Sequence, residues 1–139
     1  MQYKRFNDTF MLRMDCGEEV MQSLTALCEQ ENIRLAEVNA IGAADQAVIG
    51  VYDLEKQAYY REELNGFMEI TSLTGSVTAM DGKPYVHLHA AMVDQQHTVH
   101  AGHVIGIRVG ATCEMFVRVL EGNVSRERYE ELGINIWKF

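Results

Sequence analysis

Apolar and polar positions alternate with a period of two along most of the chain and take up helical spacing at length only once. In residues 9–15, Phe10, Leu12 and Met14 share one face and Met11 and Arg13 the other, which predicts a strand. Asp15-Cys-Gly-Glu18 predicts a helix N-cap with an acid three residues on. Val20, Met21, Leu24, Leu27 and Cys28 then recur at helical spacing, predicting a helix to about Asn32. Further strands are predicted over 35–42, 47–53, 58–64, 67–80, 85–94, 110–120 and 134–139, separated by turns at 43–45, 55–57, 65–66, 81–84 and 121–124. Within 67–75, strict alternation puts Phe67, Glu69, Thr71 and Leu73 on one face. Ser125 predicts the cap of a short helix to about Leu132. The sum is α+β: a largely antiparallel sheet with one main flanking helix. No repeat or linker divides the chain, so residues 1–139 are expected to form a single domain.

The strand over 85–94 carries the chemistry. All five histidines lie within or just after it, at 87, 89, 97, 100 and 103. On a strand, His87 and His89 project to the same side, which makes half of a metal site. A third imidazole can come from His97, His100 or His103 if the chain turns back, and spacing does not choose among them. Three imidazoles suit zinc or a neighbouring divalent ion and leave an open coordination position. A surface pair or a packed pair of histidines is the plainer reading of His-x-His. Glu69 stands in a largely apolar strand, either as a solvated charge or as a carboxylate turned toward a polar site. Counting back from the turn at 81–84 places it far along its strand, so contact with His87 is not assured.

Composition narrows the options. The formal net charge of −8 opposes a broad phosphate-binding face, and the densest basic pairs are only Lys4-Arg5 and Arg126 with Arg128. Cys16, Cys28 and Cys113 form no Cys-x-x-Cys and are expected as reduced, packed thiols. There is no apolar run of membrane-spanning length and no apolar segment behind Met1, so the expected location is the cytoplasm.

Several stretches taken together resemble one family. They are Tyr3 with Arg5-Phe6, Leu35 to Ala44 with Ile41-Gly42-Ala43, and Phe67-Met-Glu-Ile-Thr-Ser-Leu-Thr-Gly75. Asp81-Gly-Lys-Pro-Tyr-Val-His-Leu-His89 and Ala101-Gly-His103 complete the set. The chain is identified as resembling the bacterial form of the PPC (plants and prokaryotes conserved) domain, over nearly its whole length. The resemblance implies a compact α+β fold, kinship with acetolactate decarboxylase, and a homotrimer. It also implies a divalent metal, zinc by preference, held by His87, His89 and His103, the last from a Gly-Gly-His motif that reads Ala101-Gly102-His103 here. His97 and His100 then fall outside the ligand set. Plant members carry AT-hook segments for the DNA minor groove, and this chain contains none.

Two functions follow as expectations. The first is a metal-dependent enzyme on a small carbonyl acid, with Glu69 or Glu114 as fourth ligand or proton carrier and Arg13 on the substrate carboxylate. The second is a regulatory module that binds DNA or a protein partner, with the metal structural. The acidic charge opposes its DNA form.

Overall fold

The computed structural model describes all 139 residues and bears out the α+β class. Its elements are β1 (Gln2–Phe6), β2 (Thr9–Asp15), α1 (Val20–Gln30), β3 (Ala36–Asp53), β4 (Ala58–Met80), β5 (Lys83–Asp94), β6 (Val99–Val119), β7 (Ser125–Tyr129) and β8 (Ile134–Lys138). The sheet runs β1-β2-β6-β3-β4-β7-β8, and β5 bridges β4 and β6. Pairings β3–β4, β4–β5, β5–β6 and β6–β3 therefore close a ring, all antiparallel. Every sheet pairing is antiparallel except the short contact of Ala79 with Ser125. Met14, Leu24, Leu27, Ile70, Leu73, Leu88, Met92 and Met115 are fully buried in one continuous core. Helix α1 packs on β5 and β6 through Val20, Leu24, Leu27 and Cys28.

Three expectations are corrected. The helix begins after Glu19, whose carboxylate accepts from the Gln22 amide at 2.7 Å, and not after Asp15. Residues 15–18 instead form a turn pinned to β6, where Gly17 N–H donates to the Val109 carbonyl at 2.8 Å. The turn signals at 43–45 and 65–66 lie inside continuous strands. Gly42 is small because a Cβ there would stand 2.4 Å from the Thr112 carbonyl oxygen, so it serves close strand approach rather than a turn. Around Gly66, with φ +109°, β4 places two residues, Gly66 and Phe67, against the single Asp45 of β3, which is a bulge. A second irregularity between Ile70 and Ser72 resets the alternation, so Leu73 joins Met68 and Ile70 in the core instead of sharing a face with Glu69.

The third correction bears on function. Residues 125–132 contain no helix. Ser125–Tyr129 pairs with Ile134–Lys138 as a hairpin closed by Gly133 at φ +67°. On a strand Arg126 and Arg128 share a face, and both reach the same cleft as the histidines.

Candidate metal centre

Strand register assembles the histidines. Leu88, Ala90 and Met92 of β5 point into the core, which turns His87 and His89 outward. His89 lies directly opposite His103 on β6, and His103 lies opposite Gly50 on β3. The side-chain nitrogens of His87, His89 and His103 lie within 4.8 Å of one another. Ring centroids stand 5.1–5.4 Å apart. Ala101 is exposed. Gly102 is the position with no room, since a Cβ there would stand 2.8 Å from the Gly50 carbonyl oxygen.

Neighbouring groups shape the protonation of the rings. Burial pushes His87 down to about 4, helped by His103, Arg126 and His89 nearby. Burial and His89 also lower His103. Both rings are therefore neutral at pH 7, the form that ligates a metal. His103 stacks on Tyr59, with centroids 4.7 Å apart and planes 22° from parallel. Its Nδ1 is buried with no hydrogen-bond partner. A buried polar atom without a partner costs about 1–3 kcal/mol, and a bound cation removes that cost. A tetrahedral zinc keeps its ligand nitrogens roughly 3.4 Å apart, so the three rings fit the ion after small side-chain rotations.

The histidines open onto a cleft of about 550 Å³ walled by Tyr52, Tyr59, Tyr85, Arg126, Arg128 and Asn135. Arg126 lies over the Tyr85 ring, 4.5 Å from its centroid. Its Nε donates to Thr78 Oγ1 at 2.8 Å and its Nη1 to the Asn135 carbonyl at 2.8 Å. Its Nη2 lies 3.5 Å from His87 Nδ1. In the sequence Arg126 and Arg128 stand out only as a small basic pair. Period-two spacing of the two arginines was the signal for a strand.

The other polar candidates lie elsewhere. Glu69 and Glu114 are exposed and share a shallow depression with Ile41, Thr71 and Thr112. Arg13 sits opposite Glu114 in the β2–β6 register and pairs with Asp15 at 2.9 Å. None of the three lines the histidine cleft. His100 also lies apart, at the β5–β6 turn, between Asp94 at 3.0 Å and Glu62 at 3.5 Å. The Asp94 hydrogen bond raises the His100 pKa. His97 is an exposed turn residue with φ +61°.

A family model for the Plants and Prokaryotes Conserved (PCC) domain matches residues 1–121. The chain belongs to this family. Hairpin β7–β8 lies beyond the matched residues. The PCC chain superposes with a TM-score of 0.96 on a Bacteroides thetaiotaomicron protein described as a DNA-binding candidate. The two are 26% identical, and the match covers 99% of this chain and 96% of the other. A metal-containing protein of Archaeoglobus fulgidus is 34% identical with a TM-score of 0.90, over 100% of this chain and 99% of that one. The α-acetolactate decarboxylase of Bacillus subtilis shares the fold more distantly, at TM-score 0.59 and 11% identity, over 88% of this chain and 57% of the enzyme. A search of curated proteins found no match. No helix is long and apolar enough to cross a membrane.

Proposed function

We propose that this PCC-domain protein binds a divalent metal, zinc by preference, through His87, His89 and His103, and acts on a small carbonyl acid in the cleft above them. The observation that carries the reading is the convergence of three outward imidazoles on one roomy cleft, with one ring nitrogen left without a partner. The A. fulgidus relative, described as metal-containing, supports a metal. A bound divalent ion would polarise a carbonyl or activate a water. The protein's own groups hold the pKa of His87 and His103 down, stack His103 against Tyr59 and present a guanidinium beside them. No carboxylate lines the cleft within this chain, which favours an open coordination position over a closed structural site. The proposal includes one domain over residues 1–139 and a homotrimer. The trimer follows from the family resemblance, and exposed Met11, Ile41, Phe67 and Phe116 provide apolar surface for subunits to bury. The test is to incubate zinc-loaded protein with a panel of small 2-oxo and 2-hydroxy acids. Turnover abolished by a chelator is the expected result. A panel left wholly unchanged would reject the catalytic part.

The DNA reading rests on the description of the B. thetaiotaomicron relative. Net charge opposes it, and so do the ion pairs that neutralise Arg13, Arg108 and Arg118. Duplex binding that weakens steeply between two salt concentrations would establish it; no binding at low salt is the outcome expected here.

A further inference from the structure

Of the eight arginines, Arg13, Arg108, Arg118 and Arg128 each have a carboxylate within 4.0 Å. Arg5, Arg34, Arg61 and Arg126 have none, and of these four only Arg126 lines the histidine cleft. Its guanidinium is nevertheless held in place. Thr78, the one buried polar side chain of the protein, accepts from Nε. The Asn135 carbonyl accepts from Nη1, and the Tyr85 ring supports the plane from below. A guanidinium has five N–H donors, and two are taken by protein oxygens here. Three are left to a group that lines the cleft together with Arg128. An imidazole adds no negative charge, so two guanidinium groups and no carboxylate of this chain line the cleft.

We propose that Arg126 is the recognition residue for the carboxylate of a small organic acid. The guanidinium grips the carboxylate, and the acid's neighbouring oxygen faces the three histidines. A carboxylate fits because its two coplanar oxygens match the planar fork of donors. The β7–β8 hairpin is then the specificity wall of the cleft: it supplies Arg126, Arg128 and Asn135, and it lies beyond the residues matched to the family model. This assignment replaces Arg13 in that role and rests on the metal reading above.

The experiment is calorimetric titration of the zinc-loaded wild type, Arg126→Lys and Arg126→Gln with three probes: oxalate, inorganic phosphate and imidazole. Imidazole is a neutral metal ligand that has no use for a guanidinium, so its affinity should be the same in all three proteins. Oxalate should bind about 30-fold more weakly to Arg126→Gln and about fivefold more weakly to Arg126→Lys, which keeps the charge but loses the fork. Arg126 also anchors the hairpin, so melting temperature and zinc content are measured on each variant. If Arg126→Gln does not fold, Arg126→Lys decides. Equal oxalate affinity in wild type and folded variants, with zinc retained, would overturn the role of Arg126 and leave the metal site standing. Phosphate bound more tightly than oxalate, with the same dependence on Arg126, would overturn the carboxylate assignment. A wild type that takes up no zinc overturns both readings.

Discussion

Two patches of the same outward sheet surface carry polar side chains that strand alternation turned away from the core. One holds His87, His89 and His103; the other holds Glu69, Glu114 and Arg13. At the first, hairpin β7–β8 walls the cleft, and His87, half-buried there, falls to about 4 while His89 stays exposed. At the second, within the single chain, Glu69 and Glu114 are exposed and Arg13 is matched locally by Asp15. Alternation alone therefore brings polar groups to a surface. A wall that encloses them in a cleft turns the group into a candidate site.

The largest effect should come from removing the register beneath the histidines. A Cβ at Gly75 would stand 1.9 Å from the His87 carbonyl oxygen, with backbone on the far side. Gly75→Ala must push β4 and β5 apart, and we expect a loss of about 3 kcal/mol or more, read as a melting temperature lower by about 10 °C, together with loss of metal uptake. Next in size, His103→Ala should weaken zinc binding by about 100-fold or more, whereas Glu69→Gln and Glu114→Gln should leave it unchanged, measured by competition with a chromogenic chelator. Zinc affinity equally sensitive to the glutamates would dissolve the contrast between the patches.

A smaller effect separates them by pH. The folded pKa of His87 lies below its unfolded value of 6.5, so the unfolded chain takes up that proton first as pH falls. Metal-free protein should lose stability between about pH 6.5 and 4, by about 1–2 kcal/mol after allowing for the half-exposed ring. His87→Ala should flatten that slope in urea melts. In the Asp94–His100 pair the two partners shift in opposite directions. His100 is raised, so its contribution is present below pH 6.5 and lost as pH rises through its folded value. Asp94 is lowered, so its contribution is present above pH 3.8 and lost as pH falls through its folded value. Asp94→Asn should remove both ends of that window. Smallest of all, Arg13→Ala should change stability by less than about 0.5 kcal/mol, because the pair with Asp15 is half exposed on both sides.

Much of this architecture was readable from patterning. Helix α1, strands β2, β5 and β8, the arms of β3 and β4, the second half of β6 and the outward projection of His87 with His89 follow from periods of 3.6 and 2, whereas β1, β7 and residues 99–109 of β6 do not. The irregularities were not readable. Gly42 and Gly66 look like turn residues, yet they serve a close strand approach and a bulge within long strands. The reset near Thr71 could not be seen either, because a bulge alters the count without altering composition. Ser125 was misread as a helix cap because short polar segments satisfy both patterns, and that error hid Arg126. Glu69 and Glu114 drew attention as carboxylates in apolar strands, but the property that matters is which neighbours overhang them, and that belongs to tertiary structure.

The central claim is best tested by the metal content of protein purified without a histidine tag, for the wild type and for His87→Ala/His89→Ala. The account predicts about one divalent ion per wild-type chain and essentially none in the double variant, with both proteins folded. A wild type that carries no ion and takes up none from added zinc would contradict it, and the three histidines would then be packing residues of an anion-binding cleft.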